Sequence, residues 1–281
     1  MEIVKTIKEV REIVLQQQKN GRTVGLVPTM GYLHKGHLSL VETAKRNNDF
    51  IVMSIFVNPT QFGKNEDYDK YPRDLERDAQ LAESAGVDVI FAPEVGEMYP
   101  EDYKTYVNVE GITEILCGKS RPGHFRGVTT IVSKLFNIVK PQRAYFGQKD
   151  AQQAAVIKKM VKDLNFDIEI VTCPIVREED GLAMSSRNVY LDEQQRKSAL
   201  VLSKALFEAQ RQVVEGERSK QKILDNILKM LHTEKSAEID YVEIVNADTL
   251  EEIEEIKGKV LIALAVRFGT TRLIDNIVLE V

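Results

Sequence analysis

Two kinds of apolar run take turns along roughly the first 180 residues, and that alternation leaves few architectures open. Ile3, Val4, Ile7, Val10, Ile13 and Val14 recur at helical spacing over residues 3–18, until Asn20-Gly21 breaks the run. "TVGLVPTM" then reads as a short strand closed by Pro28, "HLSLVETAKRNN" as a helix, and "DFIVMSIFVNP" as a buried strand stopped by Asn58-Pro59. About 20 residues separate the two strands, enough for a crossover helix, which makes them parallel with a right-handed connection. The pattern repeats. "RDLERDAQLAESAG" is a helix capped at Gly86, "VDVIFAP" a strand, and "TYVNVEGI" a further strand. "FRGVTTIVSKLFNIVK" and "DAQQAAVIKKMVKDLN" are helices, while "RAYFG" and "DIEIVTCPIV" are strands. The expected fold is α/β, a Rossmann-like doubly wound parallel sheet with helices on both faces.

Beyond residue 190 the pattern changes. "DEQQRKSALVLSKALFEAQRQVVEGE" and "SKQKILDNILKMLHTE" are amphipathic helices, followed by three strand-like runs, "IDYVEIVNA", "KVLIALAVRFG" and "TRLIDNIVLEV". This predicts a smaller α+β domain, with the boundary near 178–190 and the division at 1–184 and 185–281. A chain of 281 residues, 43% of them hydrophobic, is long enough for two such cores. The balance of 38 basic against 43 acidic side chains argues against a broad nucleic-acid surface. Neither a secretory leader nor an apolar stretch of the roughly 20 residues that span a bilayer is visible, so the expected setting is the cytoplasm. Cys117 and Cys173, the two cysteines, lack metal-ligand or disulfide spacing and read as buried thiols.

Ligands of open α/β sheets bind where the strands end. Two of the four histidines, His34 and His37, stand there in "PTMGYLHKGH", with Gly31 and Gly36 beside them. Imidazoles three residues apart at a helix N-terminus can donate to phosphate oxygens and stabilise charge growing on a leaving pyrophosphate. Asn58 and Gln61 in "FVNPTQFG" are neutral amides at the next strand end, suited to a substrate with hydroxyls and a carboxylate. "RPGHFRGV" (residues 121–128) gathers arginines, a histidine and glycines into a second anion-friendly loop. In "YFGQKDAQQ", Gly147 allows close approach, Lys149 supplies positive charge, Asp150 accepts from ribose hydroxyls or caps the helix, and Gln152 and Gln153 bond a polar substrate. "REEDGLAMSSRN" brings Ser185, Ser186 and Arg187 to the domain junction as a loop able to close over phosphates. Asp74, Glu76 and Asp78 read as a solvated helix face rather than a metal site. No P-loop, GxGxxG fingerprint or Ser-His-Asp arrangement is present.

HxGH at a strand end, with a Ser/Arg loop far downstream, resembles the adenylate-forming nucleotidyltransferases and class I aminoacyl-tRNA synthetases. Their second loop has KMSKS character, and here it reads "AMSSR". The fuller set ("PTMGYLHKGH", "FVNPTQF", "RPGHFRGV", "FGQKDAQQ", "EEDGLAMSSRN" and "RFGTTRLIDN") resembles the pantoate–β-alanine ligase (pantothenate synthetase) family over essentially the whole chain. The resemblance implies condensation of pantoate with β-alanine through pantoyl adenylate, using Mg·ATP and releasing AMP and pyrophosphate. It also implies roles for particular residues. Met30, Gly31, Tyr32, Leu33, His34, Lys35, Gly36 and His37 would line the ATP site, with His37 the proton donor. Gly147, Gln148, Lys149 and Asp150 would cradle the nucleotide, with Lys149 on phosphate. The Val176 backbone would meet adenine, and Met184, Ser185, Ser186 and Arg187 would form the closing loop. Gln61 and Gln153 would hold pantoate, and Gln61 would also lie near β-alanine. Where some members carry adjacent acids this chain has Arg77-Asp78, which leaves the protein ligands of magnesium unassigned. A homodimer is also implied. The competing readings are an HxGH nucleotidyltransferase acting on a phosphopantetheine or nicotinamide nucleotide, a nucleic-acid module derived from a synthetase, and a non-catalytic ligand-binding protein.

Overall fold

A strand buried on both faces shows no polar alternation, because each face has its own apolar layer to meet. In the computed structural model, which describes residues 1–64 and 66–281, the central strands follow this rule. Six parallel strands, β1 (Glu2–Val4), β2 (Val24–Thr29), β3 (Phe50–Ile55), β4 (Val89–Phe91), β5 (Arg143–Gly147) and β6 (Glu169–Cys173), form one sheet in the order β1-β4-β3-β2-β5-β6. The helices of this half are α1 (Ile7–Lys19), α2 (Lys35–Asn47), α3 (Leu75–Ala85), α4 (Val95–Met98), α5 (Cys117–Ser120), α6 (His124–Val139) and α7 (Ala151–Asp163). Val24, Leu26, Val52 and Phe91 pack with residues of α1, α6 and α7 on one face. Their strand neighbours Val27, Ile51, Met53 and Ile90 pack with α2 and α3 on the other. The remaining elements are α8 (Glu193–Ser198), α9 (Val201–Val214), α10 (Lys220–Leu231) and the antiparallel strands β7 (Ala237–Asn246), β8 (Lys259–Phe268) and β9 (Thr271–Glu280). They enclose a separate core around Leu202, Leu206, Ile223, Ile262 and Leu264.

The chain builds outward from β2 through β3 to β4, then returns to lay β5 and β6 on the other side, so the topological switch point lies between β2 and β5. These two strands pair only at Gly25–Arg143 and Leu26–Ala144 and then part. Pro28 sits inside β2, opposite Ser54, and does not close the strand as expected. Its missing N–H is tolerated because β5 has already diverged there.

Three further expectations are corrected. Residues 3–18 are not one helix, since a three-residue edge strand pairs with β4 before α1 begins at a Thr6 capping box. The strand expected at "TYVNVEGI" is absent. Val107 instead donates its N–H to Thr130 Oγ1 and accepts from Thr129 Oγ1, so side chains of α6 replace a strand partner. The first helix beyond residue 190 is two, α8 and α9, with separate starts. Gly86 does cap α3, in the left-handed region at φ 89°.

Candidate active site

The strand ends at the β2/β5 parting open into a cleft lined by residues between Pro28 and Arg187. Of the residues singled out from sequence, Met30, His34, Gly36, His37, Asn58, Gln61, Gly147, Lys149, Asp150, Gln153, Val176, Met184, Ser185, Ser186 and Arg187 line it together. Gly31, Tyr32, Leu33, Lys35 and Gln148 are not among its lining residues.

His34 is the N-cap of α2. Its Nδ1 accepts from the Gly36 N–H at 3.1 Å, and His37 Nδ1 accepts from the His34 N–H at 3.3 Å. A ring nitrogen that accepts carries no proton, so each neutral ring keeps its hydrogen on Nε2. The rings lie with centroids 4.0 Å apart. Burial, then the Lys149 ammonium, lowers the His34 pKa to about 4. Burial, then its neighbour His34, takes His37 well below the ordinary value. Both are therefore fixed Nε2–H donors at neutral pH. Gly36 serves the imidazole as much as any ligand, since a Cβ there would stand 2.9 Å from the His34 ring.

The loop before α2 is held by a residue that the sequence reading placed on a solvated face. Asp78 is 1% exposed, and its carboxylate accepts from the N–H of Tyr32 at 2.6 Å and of Leu33 at 2.7 Å. Tyr32 has φ 50°, a left-handed conformation uncommon outside glycine, and the Asp78 bond fixes it. Asp74 is the N-cap of α3. No sequence signal separates Asp78 from its solvated neighbours, because its partners are backbone groups 45 or more residues away.

Asn58 and Gln61 meet at the end of β3. Asn58 is buried, and its Oδ1 accepts from the Tyr99 phenol at 2.8 Å and the Thr60 hydroxyl at 3.0 Å. Its Nδ2 donates to Gln61 Oε1 and the Gly127 carbonyl. That full set of protein partners makes Asn58 the holder of Gln61. The loop at 121–128 is a support rather than an open anion site. Arg121 makes a two-pronged pair with Glu66 at 2.7 and 2.5 Å, and His124 Nδ1 donates to the Gln61 carbonyl at 2.8 Å. Burial, then Arg121, lowers the His124 pKa to about 4. The adjacent glutamines of α7 divide. Gln152 is spent on the Ile112 and Ile115 carbonyls and the Cys117 N–H, contrary to its expected substrate role, whereas Gln153 lines the cavity. Asp150 precedes α7 but makes no side-chain cap bond.

Ser186 donates to the Tyr32 carbonyl at 3.2 Å, and Arg187 pairs with Asp67 at 2.8 and 2.9 Å, so the 184–187 loop bridges to the first half of the chain. Tyr71, in the loop before α3 and unmarked in sequence, is a buried wall of the cavity. Val128, Ile131, Val132 and Leu135 of α6 supply an apolar wall. Both cysteines are buried and unpaired. Among the described residues there is no group of three or more His, Cys, Asp or Glu side chains placed to hold a metal, and no helix long and apolar enough to cross a membrane.

Fold and site together define a Rossmann-like α/β protein with a small-molecule cleft at the switch point, in a chain that also carries a second α+β unit. Comparison with known proteins narrows the class. Residues 2–278 match the family model for pantoate–β-alanine ligase. The pantothenate synthetases of Acetivibrio thermocellus and Caldicellulosiruptor bescii are 70% and 64% identical, each over the whole of this chain and at least 99% of its own. The crystal structure of pantothenate synthetase from Thermus thermophilus superposes with a TM-score of 0.95 at 49% identity, covering 99% of both chains. The Francisella tularensis pantoate–β-alanine ligase, complexed with βγ-ATP and β-alanine, gives 0.80 at 36% identity, covering 99% of this chain and 97% of that one. The chain belongs to the pantoate–β-alanine ligase family, and it is a ligase.

Proposed function

We propose that the protein condenses (R)-pantoate with β-alanine to give pantothenate, driven by ATP through a pantoyl-adenylate intermediate. The observation that carries this reading is the pair of neutral Nε2–H donors, His34 and His37, set at a helix N-terminus in the same cavity as Lys149 and the amides of Gln61 and Gln153. In the first step a pantoate carboxylate oxygen attacks the α-phosphorus of ATP. The bond to the β-phosphate oxygen breaks and pyrophosphate leaves with the electron pair. A carboxylate is already ionised at neutral pH, so this step needs charge stabilisation rather than a base. His34, His37, Lys149, Ser185, Ser186 and Arg187 supply donors or charge for it. His37 donates its Nε2–H as a hydrogen bond to the leaving oxygen, and Val176 is the adenine-side contact. In the second step the β-alanine amine attacks the acyl carbon, the acyl–oxygen bond breaks, AMP leaves with the electron pair, and the proton shed by the amine nitrogen passes to the departing phosphate or to solvent. Gln61, braced by Asn58 and His124, and Gln153 orient the two acids.

Magnesium enters as Mg·ATP, and Asp150, beside Lys149, is the lining carboxylate fit to reach it. The domains in this reading are 1–184, the ATP- and pantoate-binding unit, and 185–281, which closes over the site. A homodimer and a cytoplasmic setting belong to the same reading, and sedimentation velocity tests the first.

The test is a split assay. Mg·ATP and pantoate without β-alanine should give a pantoate-dependent burst of pyrophosphate, and added β-alanine should then give AMP and pantothenate by mass spectrometry. Absence of pantoate-dependent pyrophosphate from folded, ATP-binding protein would refute the substrate assignment. His37→Ala should fold and lose the burst, and a normal burst from that variant would refute its role.

A further inference from the structure

Two consecutive residues of β9, distant in sequence from the strand ends that form the cavity floor, hold both of its nucleotide-side walls, Asn276 through backbone carbonyls and Asp275 through the Arg177 guanidinium. Asn276 is 3% exposed. Its Nδ2 donates to two successive carbonyls, Gln148 at 3.0 Å and Lys149 at 2.9 Å, and its Oδ1 accepts from Gln148 Nε2 at 3.0 Å. A primary amide is the side chain that offers two donors and an acceptor within one plane, and here all of that capacity is spent on a single turn. Asp275 accepts from Arg177 at 2.6 and 2.9 Å and from the Asn276 N–H at 2.8 Å. Arg177 in turn donates to the Gly181 carbonyl at 3.1 Å, and the Met184 N–H bonds the Val176 carbonyl at 3.0 Å. One strand of the C-terminal sheet therefore fixes the turn that carries Lys149 and the hairpin that carries Val176 and Met184.

We infer that Asn276 is a positioning residue for ATP. It sets the place of Lys149 in the cavity, while Asp275 ties the opposite wall to the same strand. The inference rests on the reading above that Lys149 meets a phosphate. Buried amide-to-carbonyl bonds of this kind do not relax without cost, because two carbonyls lose their partner away from water. A reacting geometry displaced by about 1 Å loses on the order of 10²-fold in rate.

The experiment is a double-mutant cycle of Asn276→Leu with Lys149→Met, read by pantoate-dependent ATP–pyrophosphate exchange and by separate KM values for ATP and β-alanine. Asn276→Leu alone should lower kcat/KM for ATP about 10²-fold. It should raise the KM for ATP and leave that for β-alanine unchanged. A protein that is merely less stable has fewer active molecules and leaves every KM in place. On the Lys149→Met background the second substitution should add almost nothing. Full additivity, or a loss in kcat with both KM values unchanged, overturns the inference while leaving Lys149 its role. No loss from Lys149→Met alone overturns the reading of Lys149, and the inference with it. Should Asn276→Leu fail to melt cooperatively, Gln148→Met removes only the bond to Oδ1. It should give the same KM pattern with a loss of about tenfold, and an unchanged KM for ATP would again overturn the inference.

Discussion

Replacing Asp78 isolates how much of the histidine loop is held from outside. In Asp78→Ala the N–H groups of Tyr32 and Leu33 lose acceptors at 2.6 and 2.7 Å in a site where the carboxylate is 1% exposed. Each orphaned buried donor costs about 1–3 kcal/mol, so the variant should lose roughly 2–6 kcal/mol. That is a large share of the about 5–15 kcal/mol that keeps a domain folded. The left-handed Tyr32, φ 50°, loses the bond that holds it, so the loop should leave its conformation before the domain melts. Asp78→Asn keeps one acceptor and sets an amide N–H₂ against the other backbone donor, so about half the loss should remain. Urea unfolding measures the stability, and pantoate-dependent pyrophosphate release measures the loop. The expected order for both is parent, then Asn, then Ala. An Asp78→Ala protein within about 0.5 kcal/mol of the parent, with an undiminished burst, would refute the claim that this carboxylate builds the site.

Other outcomes follow from the same geometry. His34 and His124 have pKa values lowered to about 4, and His37 lies well below its ordinary value, so the fold holds all three neutral. The unfolded chain takes up their protons near pH 6.5 and the native one does not. Stability should therefore be full above that pH and fall as pH drops from about 6.5 toward 4. Denaturation midpoints at several pH values check this, and a flat profile between pH 7 and 5 would contradict it. Gln152→Ala should lower the melting temperature by orphaning the Ile112 and Ile115 carbonyls. Gln153→Ala should melt as the parent does and raise the KM for pantoate, and equal effects of the two would remove the distinction. In Gly127→Ala the new methyl meets the Thr60 carbonyl oxygen and stands 2.6 Å from Gln61 Cα. Backbone that must move costs about 1–3 kcal/mol and displaces Gln61, measurable as a weaker pantoate KM.

What could be read in the sequence divides along one physical line. Signals carried by a residue's own neighbours survive in one dimension: the unbroken apolar runs of β2 and β3, the Gly86 cap of α3, the histidines spaced to share a helix N-terminus. Signals carried by distant partners do not. Asp74 and Asp78 are the same residue type on one helix, yet the first caps it and the second is buried against backbone far away in the chain. Gln152 and Gln153 are adjacent and identical in type, but consecutive helix positions point about 100° apart, so one faces the 112–117 loop and the other the cavity. "TYVNVEGI" has strand composition and no strand to pair with, because Thr129 and Thr130 of α6 already hold the Val107 backbone. "RFGTTRLIDN" reads as the turn between two strands and as a family ending, but not as part of the site. Its role at the site depends on which loop β9 comes to rest against, and that is decided by the packing of two separately cored halves. Residues that touch ligand can be recognised from their chemistry. Residues that place them can be recognised only from what they touch, and here Asp78, His124 and Asn276 each bond the backbone of a loop that carries a cavity residue.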